Sequence, residues 1–214
     1  SRPGAKEISI NEEIDRVIPV IKFIRKTYPE LILSVDTFRS EVARDCLDLG
    51  IDIINDISAG CIDKNILDVV AEYNCPYIMM HMKGTPQTMQ VNPEYENLIK
   101  ELLIYFAKRI YLAREKGIID IIVDPGFGFG KTLDHNYTIM KKIENFKLLD
   151  LPILVGISRK SFITKQLDVD KKNSLNGTTA LNMYFLEKNV NILRVHDVKE
   201  AKECIILHEK IKSS

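Results

Sequence analysis

Four polar residues stand at the ends of short apolar runs in this 214-residue chain. Asp36 lies in Ser34-Val35-Asp36-Thr37, Asn55 in Asn55-Asp56, Asp124 in Asp124-Pro125-Gly126 and Lys160 in Ser158-Arg159-Lys160-Ser161. Two carboxylates, an amide and an ammonium can match a flat heterocycle that has adjacent N–H donors on one edge and carbonyl or ring-nitrogen acceptors on the other. That is the hydrogen-bond pattern of a pterin. Any one of the acids alone reads equally well as a helix N-cap. Gathered at several strand ends they favour a binding site, because buried carboxylates are costly unless they meet donors. Arg194-Val195-His196 adds two cationic or potentially cationic side chains at i, i+2, on one face of an extended segment. A planar, always-charged Arg beside a His suits a phosphate or diphosphate. The alternative is that Arg194 pairs with a carboxylate of the same site.

The run from Asp124 to Thr132, Asp-Pro-Gly-Phe-Gly-Phe-Gly-Lys-Thr, ends like a nucleotide-binding phosphate loop but is not one. That loop needs a Gly five positions before Gly130, and position 125 is Pro. Gly126, Gly128 and Gly130 also fall one residue short of the dinucleotide fingerprint. What remains is a flexible glycine-rich turn rooted on an acid. It carries two aromatic rings, Phe127 and Phe129, that either pack or cover a flat ligand.

These residues need a frame that brings strand ends together. Short β-branched runs at Leu31–Val35, Ile51–Ile54, Pro76–Met80, Ile118–Val123, Pro152–Ile157 and Asn191–Val195 alternate with stretches at helical spacing. Examples of the latter are Ile14, Val17, Ile18, Ile21, Phe23 and Ile24, then Val42, Cys46 and Leu47. Near-continuous apolarity in the strands predicts parallel strands buried on both faces. Asp63 is expected to open a helix over Ile66–Tyr73, and Gly50 and Gly117 to close helices with basic last turns. Polar clusters end all six strands, as in a closed (β/α)8 barrel whose site draws on every βα loop; an open sheet concentrates them at one crevice. The fold class is therefore α/β, a (β/α)8 barrel of which residues 1–214 supply about six βα units as one domain. Such a barrel typically takes ~250 residues, so two further units are expected before Ser1, where Ser1-Arg2-Pro3-Gly4 reads as a loop cut open.

Thirty basic residues balance thirty acidic ones, which leaves no electrostatic footprint for nucleic acid or an anionic membrane. No stretch is long and apolar enough to span a bilayer, and the start lacks a signal-peptide layout. The expectation is a cytoplasmic protein with a small-molecule ligand. Cys46, Cys61, Cys75 and Cys204 have neither C-x-x-C nor zinc-finger spacing and read as reduced, mostly buried thiols. His81 stands open between core residue and ligand, while His135 and His208 are expected on helix surfaces.

In the order Ser-Val-Asp-Thr, Ile-Asn-Asp-Ile-Ser, Met-His-Met, Asp-Pro-Gly-Phe-Gly-Phe-Gly-Lys-Thr, Ser-Arg-Lys-Ser and Arg-Val-His-Asp-Val, these motifs resemble those of the dihydropteroate synthases over essentially the whole chain. Asn176-Gly177-Thr178-Thr179-Ala180 fits the same pattern. The resemblance implies a barrel, usually homodimeric, that condenses 6-hydroxymethyl-7,8-dihydropterin diphosphate with 4-aminobenzoate, and that sulfonamides inhibit. Residue by residue, it implies that Asp124, Asn55, Asp36 and Lys160 bind the pterin. It implies that Arg194 and His196 hold the diphosphate, and that Phe129, Lys160, Ser161, Ser1, Arg2 and Pro3 form the 4-aminobenzoate site. Lys160, Arg194, His196 and Asp36 are the implied catalytic set. Mg2+ is implied with the diphosphate, its protein ligand belonging to an Asn-Val-Thr-Pro-Asp-Ser-Phe-Ser loop with no counterpart here. Two rivals are a methyltetrahydrofolate methyltransferase, which has no use for a diphosphate site, and a non-catalytic pterin-binding barrel.

Overall fold

Parallel strands that follow one another in sequence and in space make up the frame. The computed structural model describes residues 4–89 and 92–214. Its strands are β1 (Ser34–Asp36), β2 (Ile53–Asp56), β3 (Tyr77–Met80), β4 (Ile121–Asp124), β5 (Leu154–Val155) and β6 (Ile192–Leu193). The helices are α1 (Ile10–Thr27), α2 (Ser40–Asp48), α3 (Ile66–Glu72), α4 (Leu98–Glu115), α5 (Leu133–Lys141), α6 (Ser161–Leu167), α7 (Leu175–Glu187) and α8 (Val198–Lys212), with short 3-10 turns at Ile143–Leu149 and Lys172–Ser174. β1 to β4 pair in chain order, β5 pairs with β6, and a parallel bridge between Val123 and Ile153 joins the two sheets. The order never reverses. A doubly wound sheet has a switch point where it does, so the strands form an arc of a (β/α)8 barrel.

Burial explains where each strand runs. β3 is buried at every position and β2 and β4 nearly so, as expected of strands with one face on the helices and the other on the barrel interior. All six expected strands exist; β1, β3 and β4 are shorter and lie toward the C-terminal end of their apolar runs, β2 is shifted two residues C-terminally at the same length, and β5 and β6 keep only two residues each. Leu31 and Ile32 are exposed, as is Ile119, so apolar type extends beyond the paired segment. Phe23, expected on the inner face of α1, is also exposed.

Asp63 does organise a helix start. Its Oδ1 accepts the Asn65 N–H at 3.0 Å, and its Oδ2 accepts the Ser40 N–H at 2.7 Å, tying α3 to α2. Gly50 follows α2 in the left-handed region (φ 85°), but the last turn of α2 carries no basic residue. Arg25 of α1 reaches across to donate to the Gly50 carbonyl at 2.8 Å instead. His208 is buried rather than exposed, 3.7 Å from a Glu187 carboxylate oxygen. His135 is half-buried and completes a capping box with Thr132 at the start of α5. Three cysteines are buried and Cys61 is exposed. Among the described residues no helix is long and apolar enough to cross a membrane.

Candidate active site at the strand carboxyl ends

Parallel register places the first two candidate residues side by side. Asp36 pairs with Asn55 between β1 and β2, and the Asn55 amide donates to Asp36 Oδ1 at 2.6 Å. The other Asp36 oxygen accepts from Arg194, which follows β6. The two ends of the arc thus meet across the mouth, and a carboxylate of the same site, the alternative partner for Arg194, is the one it has here. Asn55 is buried, and its Oδ1 has no hydrogen-bond partner. A buried acceptor left unpaired costs about 1–3 kcal/mol, a cost that an N–H donor arriving on a ligand would offset.

Asp124 ends β4 and is buried, with Oδ1 accepting the Gly126 N–H at 2.8 Å. Burial raises its pKa, while the charges of Lys160, Arg194 and Lys131 pull the other way. The Lys160 ammonium donates to the Phe127 carbonyl and lies 4.9 Å from the Phe129 ring centroid. Burial pushes it down to about 8, against the attraction of Asp124. Ser161, next in the chain, opens α6 and is exposed. His196 Nδ1 lies 3.0 Å from Ser158 Oγ, which also accepts the His196 N–H. Beside it Arg159, in the left-handed region (φ 56°), makes a bidentate pair with Asp197.

The glycine-rich turn owes its spacing to close packing. A Cβ on Gly126 would collide with the His81 carbonyl oxygen, and one on Gly130 would lie 2.6 Å from the Lys83 carbonyl oxygen. Both glycines have positive φ, so the loop after β3 can lie directly on this turn. Tyr95 Oη donates to the Gly130 carbonyl at 2.8 Å, and Asn136 Oδ1 accepts the Gly128 N–H at 2.8 Å. Phe127 is fully buried, whereas Phe129 is half-buried beside Lys160.

His81 proves to be an interior residue. It is buried, edge-on to the Tyr105 ring at 4.7 Å between centroids, and 3.1 Å from the Lys131 ammonium. Sequence reasoning misses Lys131, because excluding a phosphate loop leaves its lysine without a role. It is 3% exposed and pushed by burial down to about 7. The signal available is a lysine set inside a glycine-rich βα turn. Asp56 is likewise missed as a mere neighbour of Asn55. It is fully buried and accepts from Tyr77 Oη at 2.6 Å, the Gly60 N–H at 2.6 Å and the Ser58 N–H at 2.7 Å, which marks it as a support under the β2 loop. Ser1, Arg2 and Pro3 lie outside the described residues. Gly4 donates to the Pro86 carbonyl at 2.9 Å, at the edge of a cavity of about 1000 Å³ whose lining includes Asp36, Thr37, Arg39 and Gln87.

The sequence and the fold are shared with proteins of known activity. The model of the pterin binding enzyme family matches residues 1–196. A dihydropteroate synthase of Synechocystis sp. is 43% identical over 202 residues, covering 93% of this chain and 70% of the relative. That of Escherichia coli strain K12 is 40% identical over 216 residues, covering the whole chain and 76% of the relative. A crystal structure of the Yersinia pestis dihydropteroate synthase in complex with a sulfonamide drug superposes with a TM-score of 0.95 at 36% identity, covering all of this chain and 78% of that one. The chain belongs to the pterin-binding enzymes, in the family of the dihydropteroate synthases.

Proposed function

We propose that residues 1–214, as one barrel domain, bind a pterin diphosphate among the strand ends and join it to 4-aminobenzoate with release of diphosphate, the transferase reaction of the family. The observation that carries the reading is the unpartnered, buried Asn55 Oδ1 beside Asp36, with Asp124 ending the strand two places along the same sheet. Such acceptors suit the N–H groups of a pterin, and the Lys160 ammonium suits its carbonyl and ring-nitrogen edge.

In the reaction the C–O bond between the pterin methylene and the diphosphate breaks, and its electron pair leaves with the diphosphate. A C–N bond forms to the aniline nitrogen, which then loses a proton. Arg194 and His196 would receive the growing negative charge, and the carboxylates of Asp36 and Asp124 would stabilise the cationic pterin methylene. The amine is a weak nucleophile and gains most from orientation, which the half-buried Phe129 ring, Lys160, exposed Ser161 and the segment Ser1-Arg2-Pro3 would supply. Sulfonamides, which are bound by the Yersinia pestis relative, would compete there.

Mg2+ fits this site only as a companion of the diphosphate. Among the described residues no three of His, Cys, Asp or Glu gather. The Asp36 carboxylate is taken by Asn55 and Arg194, and Asp124 faces three cations. These residues do not build a metal centre, and no step above runs through one. A homodimer in the cytoplasm completes the reading. Val198, Ile206, Leu207 and Ile211 leave α8 with exposed apolar side chains that a second copy would cover.

The test is condensation itself: pterin diphosphate, 4-aminobenzoate and Mg2+ should yield dihydropteroate and diphosphate. Tight pterin binding with no product would point to the non-catalytic barrel, and methyl transfer from methyltetrahydrofolate to the methyltransferase.

A further inference from the structure

Lys131 has no part in the proposed chemistry. A buried ammonium is expensive, and an apolar side chain of the same length would fill the space at lower cost. No carboxylate among the described residues lies within ion-pair distance of it. All three of its protons nevertheless have acceptors: His81 Nδ1 at 3.1 Å, the His81 carbonyl at 3.3 Å and the Phe129 carbonyl at 3.0 Å. Burial keeps the His81 ring neutral. A neutral ring that accepts at Nδ1 carries its proton on Nε2.

The two carbonyls belong to different loops, His81 at the end of β3 and Phe129 in the turn after β4. Between them the ammonium sits beneath Gly126, the residue whose N–H fixes Asp124. Phe129 is therefore gripped twice, its carbonyl by Lys131 from within and its ring by Lys160 from the site. The charged and titratable groups around Lys131 are Asp124 from β4, Lys160 from the loop after β5, His81 and Lys83 from the end of β3, and His135 from α5.

We propose that Lys131 is a positioning residue: by pinning the Phe129 carbonyl to the end of β3, it sets the wall on which the aromatic amine substrate lies. The inference rests on the reading of Phe129 as part of the 4-aminobenzoate site. Lys131 touches neither substrate and acts through Phe129, so its removal should weaken handling of the amine far more than binding of the pterin.

The experiment is Lys131→Met, which keeps volume and removes the donors. Steady-state kinetics give the KM for the aromatic amine, and calorimetry gives the pterin affinity. The expected result is an amine KM at least tenfold higher with pterin Kd changed less than threefold. Lys131→Gln, which retains two N–H donors, should restore KM to within about threefold of the original. Equal weakening of both substrates, unchanged KM in Lys131→Met, or no rescue by Gln each overturn the proposal. If Lys131→Met does not fold, His81→Leu removes one of the ammonium's anchors from the other side. It should raise the amine KM about threefold without moving pterin Kd, and an unchanged KM there also overturns the proposal. If the unaltered protein makes no dihydropteroate, the reading of the whole site fails. If condensation is normal in Lys131→Met, only the role of Lys131 fails.

Discussion

Replacing Lys131 by Met should change how stability depends on pH as well as catalysis, and the sign follows from linkage. Burial holds the folded-state pKa at about 7 against an ordinary 10.5. Between those values the unfolded chain holds a proton that the native protein lacks, so unfolding takes up a proton and stability rises with pH. The slope is about 1.4 kcal/mol per pH unit for one such group. This contribution is fully present above pH 10.5 and is lost as pH falls toward 7. From about pH 9 down to about pH 6 it amounts to roughly 3 kcal/mol, and Lys131→Met removes it. Lys160 contributes in the same sense above its own value of about 8. Asp124 tilts the balance oppositely at the acid end, as do Cys46, Cys75 and Tyr105 at the alkaline end, because burial raises the pKa of each. Those groups are shared by both proteins, so the difference between the two profiles reports Lys131. At about pH 9 the variant should be the less stable of the two, because the His81 and Phe129 carbonyls lose a donor, and by about pH 6 it should have gained roughly 2–3 kcal/mol relative to the original. Urea unfolding followed by circular dichroism at about pH 6, 7.5 and 9 measures this. Parallel profiles would refute the reasoning, since a lysine that stays charged throughout has no slope to lose.

Asp124→Asn should weaken pterin binding by roughly 2–4 kcal/mol, because an amide N–H would face a ligand donor; calorimetry with unchanged affinity removes Asp124 from the site. The same change should leave Tm equal or higher, since burial outweighs the attraction of Lys160, Arg194 and Lys131 and makes the charged carboxylate costly in the fold. Arg194→Ala should cost about 1 kcal/mol or less of stability, as its pair with Asp36 is half exposed. It should abolish the advantage of the diphosphate substrate over a pterin lacking diphosphate, and equal losses for both ligands would make Arg194 a purely structural partner. Gly126→Ala should destabilise by roughly 3 kcal/mol or more in thermal unfolding, because positive φ and the His81 carbonyl both oppose a Cβ; a wild-type Tm contradicts the packing described for the turn. A sulfonamide should bind more tightly by about 1–3 kcal/mol once pterin, diphosphate and Mg2+ are present, and equal affinities in the two titrations exclude ordered binding.

The residues of the proposed site are legible in the sequence because carboxylates, an amide and an ammonium at the ends of buried apolar runs are costly unless they meet partners. Carboxylates after apolar runs, an amide on the strand next to the first and a lysine one unit after the last announce a polar mouth on an apolar frame, and the parallel order follows from the apolarity of β2, β3 and β4. Contacts made across long loops are not legible. The spacing of Gly126 and Gly130 suggests flexibility, yet its cause is the His81 and Lys83 carbonyls, some 45 residues away in sequence. Lys131 escapes for a related reason: position in a glycine-rich turn says nothing about which carbonyls will surround an ammonium. Apolar type starts the strands too early because Leu31, Ile32 and Ile119 are apolar but exposed, so residue type outruns pairing. Polarity alone puts His208 on the surface, whereas Glu187 on α7 lets its ring lie buried against that helix.

The pair between Asp36 and Arg194 brings these observations to bear on how the site is kept ready. Both residues are half exposed at the mouth, so the pair is cheap to break, and neither side chain meets the other except across the arc. Arg194 presents a guanidinium fork that a diphosphate matches better than a single carboxylate oxygen does, since two oxygens can be held at once. On the proposed reading, a diphosphate that took the fork would release Asp36 with Asn55 still donating to its Oδ1, and its second oxygen would be free to accept from a ligand. The anionic end of the substrate would thereby complete the site for the heterocyclic end. Deeper in the barrel no such exchange is available. Asp124 is held by the Gly126 N–H, and the turn behind it is locked by Lys131 and by glycines that admit no side chain. The mouth is thus built from replaceable partners and the floor from irreplaceable ones, an arrangement suited to an enzyme that must release a charged product while keeping the position of a weak nucleophile fixed.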